Sequence, residues 1–519
     1  MGRRGAVATN HPLATQAGLD ILRAGGNATD AAAAVALMLG VVEPHMSGLG
    51  GDGFYHVWMR GRSAVYNGTG AAPAAATADR FADGMPLSGP RAVSTPGTLA
   101  GLAAMHAAHG ALPWAEVVRP AAARARDGFA ATHAYRHFAG NARAILRADP
   151  RSAATFLHGG EPPALGALVV QPQLAATLEA IAAGGTSALY RDAAPAFAQA
   201  GTLVGAEDLA AMKAEVQAPI AITYRGHEVR QTPPNSTGFV LLQELKILER
   251  FDLSGLGPDA AEAIHLMVEA KKCAFLDRER HATDPRHGAI PLDHLLSEAH
   301  ARAQAATIDP DRAASLPLVQ PMPADGDTTY FCIVDADGSA VSAIQSLNSA
   351  FGSGVTAGET GILLNNRMSC WHLDPAHPNA LRPGKRVRHT MNAPMLFRDG
   401  RPWAVLGTPG ADNQVQVNLQ IIAALVDFGL DPQQAAEMPR WSSNQPGQSA
   451  NWPHDGDDGL TLEADMPADT IAALRAKGHD VRLVPPLEGP CSVECIRILD
   501  NGVRMAGSDP RRDGWAAAD

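Results

Sequence analysis

The pattern of apolar positions first reads as a helix in ATQAGLDILRAGG, which carries Ala17, Leu19, Ile21 and Leu22 and is ended by Gly25-Gly26. Asn27-Ala28-Thr29-Asp30 then offers capping residues for an alanine-rich helix over about 31–42, whose small side chains suit close packing. The run FYHVWM after the glycine-rich SGLGGDG (47–53) reads as a strand. Residues 70–330 are mostly helical in pattern, most clearly AATLEAIAAGGTSALY and AAEAIHLMVEAKKCAFLDRERH, with a short strand pair at Ile220–Tyr224 and 227–230.

The period then changes. TTYFCIVD (328–335), the turn Ala336-Asp337-Gly338 and SAVSAIQSL (339–347) predict a hairpin. APMLFR with PWAVLG around Asp399-Gly400, and IRILD with VRMAG around Asn501-Gly502, predict two more, with a helix in QVQVNLQIIAALVDFG between them. Helical layers around stacked antiparallel sheets are the architecture this pattern implies. The stretch from about 310 to 327, PDRAASLPLVQPMPADGD, is rich in Pro, Asp and Ser and predicts an exposed, poorly ordered connector.

Composition narrows the class of function. The 519 residues are 46% hydrophobic and 18% charged, ordinary for a soluble globular protein. A net charge of −11 without a basic block argues against nucleic acid or an anionic membrane surface as partner. No run approaches the ~18 apolar residues of a membrane span, and the two N-terminal arginines have no apolar core behind them. Cys273, Cys332, Cys370, Cys491 and Cys495 lack CxxC spacing; Cys491 and Cys495 are near enough to meet, but free thiols in a reduced, cytoplasmic protein are the expectation. Gly48, Gly50 and Gly53 fit a dinucleotide-binding GxGxxG, but a helix precedes them where a strand is needed, so a tight turn is expected and no cofactor. Neither HExxH nor GxSxG is present, and no metal site is expected.

Candidate chemistry centres on the Thr-Thr pair where the connector meets the strand. Inside a chain a threonine hydroxyl is a weak nucleophile. At a chain N-terminus its own α-amine, with a pKa near ~8, can take the hydroxyl proton. Cutting between Asp327 and Thr328 would create nucleophile and base from one residue. The segment DTTYFCIVDADGSAVSAIQSLNSAFGSGVTAGETGILLNNRM resembles the γ-glutamyltranspeptidase family of N-terminal-nucleophile hydrolases. So do GTPGADNQ (407–414), DFGLDP (427–432), MPRW (438–441), SDPRRDG (508–514) and the opening ATQAGLDILRAGGNATDAAAAVALMLGVVEPHMSGLGGDGF. The resemblance covers essentially the whole chain with its motifs in family order. It implies an α+β fold, the four-layer αββα sandwich, and autocatalytic maturation into chains 1–327 and 328–519. These stay together as one domain, and the resemblance leaves open a dimer of such heterodimers.

The resemblance assigns Thr328 as nucleophile. Ser346 stands where the family has a threonine touching the nucleophile's amine, Asn348 where it has a substrate-orienting asparagine, and Gly410 with Ala411 where it has the oxyanion-hole glycines. The glutamate reader differs. Arg367 and Cys370 replace the family's Gln and Asp that hold an ammonium, Thr69 replaces a carboxylate-binding arginine, and His389-Thr390 replace a Ser-Ser pair. An arginine repels an ammonium and pairs with carboxylates. With Arg367, His389 and Thr390 as substrate-binding residues and further anion contacts from Arg388 or His389, the expected substrate is a small anionic amide without a free α-amine. The short segment between Met368 and Lys385 suggests a lidless site, which favours hydrolysis, as in the branch that includes oxamate amidohydrolase and cephalosporin-type (glutaryl) acylases. Two alternatives are a γ-glutamyl hydrolase or glutaryl-type acylase with a reshaped pocket, and a processed but inactive ligand-binding homologue.

Overall fold

The computed structural model describes residues 1–314 and 327–519. The strands that build the site are β1 (Gly5–Thr9), β2 (Asp52–Met59), β3 (Arg62–Gly68), β4 (Glu215–Gln217), β5 (Ile220–Tyr224), β6 (His227–Gln231), β7 (Asp327–Asp335) and β8 (Ala340–Asn348). After them come β9 (Met395–Arg398), β10 (Arg401–Gly407), β11 (Glu494–Ile498), β12 (Arg504–Ser508) and β13 (Trp515–Ala518). One sheet has the order β13-β1-β7-β8-β2-β3-β4, the other β12-β11-β10-β9-β6-β5. The predicted hairpins β7–β8, β9–β10 and β11–β12 are all present and antiparallel.

Alternation along the strands sorts side chains into three layers of core. Tyr330, Cys332 and Val334 of β7 meet Met395, Phe397, Val405 and Ile496 of the other sheet. Phe331 and Ile333 face the opposite way, into a core with α1 (Pro12–Arg23) and the alanine-rich α2 (Ala28–Val42). On the far side, Leu396 and Leu406 pack on α3 (Gly238–Leu248), α4 (Ala261–His281) and α5 (Asn413–Val426). Helices therefore cover both outer faces of two stacked sheets, the αββα sandwich expected from the resemblance.

The start of α2 follows the sequence closely: Asn27 Oδ1 accepts from the N–H groups of Thr29 and Asp30, and Asp30 reaches back to the Asn27 N–H. The edge of the first sheet is less legible in the sequence, because β1 and β13 are short and lack turn signals. The SGLGGDG segment makes the tight turn expected of it, the Gly51 N–H donating to the Gly48 carbonyl at 3.1 Å, and it packs so closely on β8 that a Cβ on Gly51 would lie 2.3 Å from the Ser346 carbonyl oxygen. No helix among the described residues is long and apolar enough to cross a membrane. Most of the predicted connector, residues 315–326, lies outside the described residues.

Candidate active site

Strand register assembles the site. Ser346 of β8 lies opposite Asp52 of β2, and Gln345 lies opposite Thr329 of β7. Thr328, Ser346 and Asp52 thus share the inter-sheet face of three neighbouring strands, at one end of the sandwich. The β7–β8 register then slips between Gln345 and Asn348, a bulge that leaves Asn348 at φ 87° and turns it out of the ladder.

Thr328 is 2% exposed, and its Oγ1 donates to Ser346 Oγ at 3.2 Å. Ser346 Oγ in turn accepts the Asn348 N–H at 2.7 Å. The Asn348 side chain is a junction. Its Nδ2 donates to Asn451 Oδ1 at 2.9 Å and to Ser369 Oγ and Asn366 Oδ1 at 3.1 Å each, while its Oδ1 accepts from Arg367 Nη1 at 2.8 Å. The Cys370 thiol donates to the same Oδ1 at 3.3 Å.

Arg367 is buried rather than on the surface, and it stands between Asn348 and Asp52, its Nε 3.5 Å from Asp52 Oδ2. Nη2 has no hydrogen-bond partner among the described residues. His389 Nε2 lies 3.3 Å from the same Asp52 oxygen, and Asp52 Oδ1 accepts the Gly70 N–H at 2.8 Å. Burial, and then the Arg367 charge, pull the His389 imidazole down to about 4, so it is neutral at physiological pH. Thr328, Ser346, Asn348, Arg367, Asp52 and His389 form one continuous polar cluster.

Gly410 and Ala411 sit in the turn after β10, at φ 114° and 47°. Gly410 is packed so closely that a Cβ there would lie 2.3 Å from Cys491 Sγ. This turn lines a cavity of about 1110 Å³, together with Asn451, Lys271, Cys491 and Arg512. Asn451 joins the cavity wall to the Asn348 junction.

Other residues singled out from the sequence lie outside this cluster. Thr390 is half-buried and its carbonyl accepts from Asn392 Nδ2, while Thr69 Oγ1 bonds Asn67 Oδ1 at 2.7 Å. Arg388 Nη1 lies 2.6 Å from Glu279 Oε2, while its Nη2 has no hydrogen-bond partner among the described residues. All five cysteines are free. Sequence reasoning missed Asp52 and Asn451. Asp52 opens β2 directly across from Ser346, but a single acid at a strand end has no period to read, and Asn451 lies in an irregular segment.

Among the described residues, His265, Glu269 and His479 form one group with metal-type donors, and Glu279, His372 and His377 another. Lys272 stands 2.8 Å from Glu269, and Arg278 and Arg388 hold Glu279 at 2.7 and 2.6 Å. The carboxylates a cation would use are thus already paired with side-chain cations. Neither group shares a residue with the Thr328 cluster.

A family model described as gamma-glutamyltranspeptidase matches residues 14–519. The chain belongs to the γ-glutamyltranspeptidase family. It is 39% identical to the glutathione hydrolase-like YwrD proenzyme of Bacillus subtilis, over 99% of this chain and 98% of that one. It is 36% identical to the oxamate amidohydrolase proenzyme of Klebsiella pneumoniae, over 99% and 98%. Its structure matches that of cephalosporin acylase from Bacillus halodurans with a TM-score of 0.91 at 34% identity, covering 100% of this chain and 96% of that one. As a family member it is a hydrolase or acyltransferase of the N-terminal-nucleophile type.

Proposed function

We propose that the chain cuts itself before Thr328 and then hydrolyses a small carboxylate-bearing amide of the oxamate kind through an acyl ester on that residue. In the first step Thr328 Oγ1 attacks the Asp327 carbonyl carbon and the peptide nitrogen leaves as the free α-amine. Water then hydrolyses the ester. The products are chains 1–327 and 328–519. In turnover the α-amine takes the Oγ1 proton as Oγ1 attacks the substrate carbonyl, and passes it to the departing amine. The Gly410 and Ala411 N–H groups face the oxyanion, and a water, deprotonated by the same amine, releases the acid.

Support for the acyl half comes chiefly from Arg367, whose guanidinium joins Asn348 and whose Nη2 has no partner among the described residues. A guanidinium there favours a carboxylate and disfavours the ammonium of a γ-glutamyl group. His389, being neutral, contributes as a hydrogen-bonding wall rather than a cation. Retention of Thr328, Ser346, Asn348 and the Gly410 turn together argues against an inactive ligand-binding homologue. The matching localisation is a reducing cytoplasm, supported by the five free thiols.

One observation favours a second reading. A cavity of about 1110 Å³ beside Gly410 is far larger than an ammonia leaving group needs, and suits the bulky amine of a glutaryl-type acylase substrate. A panel separates the two: ammonia release from oxamate, and nitroaniline release from glutaryl and γ-glutamyl p-nitroanilides. Oxamate turnover at least tenfold above both anilides is expected. A preference for the glutaryl anilide would install the second reading, and a preference for the γ-glutamyl anilide would overturn both.

A further inference from the structure

The nucleophile strand and the Gly410 turn belong to different sheets, so something must set the distance between them. A buried polar bridge runs from one to the other. Thr329, the neighbour of Thr328, points to the opposite face of β7, where its Oγ1 donates to Glu43 Oε2 at 2.8 Å and accepts from Asn10 Nδ2 at 3.2 Å. Asn10 follows β1 directly and is fully buried. Its Oδ1 accepts from the Ser492 hydroxyl. The Ser492 N–H donates to Thr408 Oγ1 at 3.2 Å, and that hydroxyl donates back to the Ser492 carbonyl at 3.2 Å. Thr408 opens the turn that carries Gly410, and Cys491, next to Ser492, packs against Gly410 itself.

We propose that Asn10 is a positioning residue: through Thr329 on one side and Ser492–Thr408 on the other it fixes the turn's N–H groups relative to the Thr328 hydroxyl. The inference rests on the reading of Thr328 as nucleophile and the turn as oxyanion hole. An amide suits the post, because one end donates to Thr329 while the other accepts from Ser492. Both ends are buried, so losing either partner leaves a polar atom unsatisfied and lets the sheets shift. Shifts of about 1 Å in such a constellation cost about a hundredfold in rate.

The test compares the processed wild type with Asn10→Ala, Ser492→Ala and Ser492→Thr. Ammonia release from oxamate gives kcat and KM, and hydrogen exchange on peptides covering 408–411 and 491–493 reads the bridge directly. Expected are a kcat at least tenfold lower in both alanine variants with KM within twofold, near wild-type kcat for Ser492→Thr, and faster exchange in both peptides for the alanine variants. Failure of an alanine variant to cut itself counts as the same loss. A lower melting temperature with unchanged kcat would reduce Asn10 to a structural role and overturn the proposal, as would unchanged exchange. If the wild type ignores oxamate, the substrate reading falls, while the exchange measurement still decides the bridge.

Discussion

Arg367 serves two neighbours with one charge. It pairs with Asp52 where both are buried, and it holds Asn348. Removing it alone leaves a buried carboxylate uncompensated, at a cost of about 3–5 kcal/mol. Arg367→Gln is therefore expected to fold poorly, and Arg367→Gln with Asp52→Asn to recover stability in thermal melts. The double variant is nevertheless expected to show KM for an anionic amide raised at least tenfold, because the guanidinium is gone. Recovery of KM along with stability would assign Arg367 to the fold alone. Glu244 gives a second test at this scale. Both its carboxylate oxygens lack hydrogen-bond partners among the described residues, and burial pushes the group up to about 8, against the pull of Lys271 and Arg278. Between about 4.5 and 8 the folded chain holds a proton that the unfolded chain has released, so this group's contribution to stability falls as pH rises through that window. The stability gained by Glu244→Gln is expected to grow from pH 5 to pH 8 in denaturant titrations; a gain independent of pH would contradict it. The sequence displayed Thr328 because it sits where a polar connector meets a strand. It hid Asp52 and Asn10, because single polar residues at strand ends carry no period and gain meaning only from their partners across the sheet.

At the scale of elements, alternation made the hairpins legible. Tyr330, Cys332 and Val334 fill the space between the sheets while Phe331 and Ile333 face the helices, so both faces of β7 are apolar and the strand reads strongly. The polar residues Thr328, Ser346 and Asp52 interrupt that pattern where the strands end. The turn after β10 is tightly constrained, since Gly410 combines a positive φ with close packing on Cys491. Gly410→Ala keeps the N–H but displaces it, and is expected to lower kcat at least a hundredfold, the scale of an oxyanion donor taken out of place. Adding Cys491→Ala relieves the contact but not the backbone strain, so it is expected to restore only a minor part. Full recovery in the double variant would show that space, not conformation, sets the turn.

The whole molecule shows how the proposed cut before Thr328 would still leave one enzyme. Strand β7 lies between β1 from the first chain and β8 from the second, and β13 pairs with β1 on its other edge. Cutting before Thr328 leaves these ladders and the inter-sheet core intact. The fragments are thus expected to co-elute as one species in gel filtration and to separate only under denaturing conditions; separation in native buffer would contradict the interleaved sheet. Sequence pattern alone supplied the layers, and family resemblance their order. Neither supplied the pairing of β1 with β7, which joins residues more than three hundred positions apart.

Intact-mass spectrometry of the purified wild type beside a Thr328→Ala variant tests the central claim most directly. The account predicts two fragments from the wild type, broken between Asp327 and Thr328, and one uncut chain from the variant. An uncut wild type, or a variant cut at the same bond, would contradict it and remove Thr328 as the nucleophile.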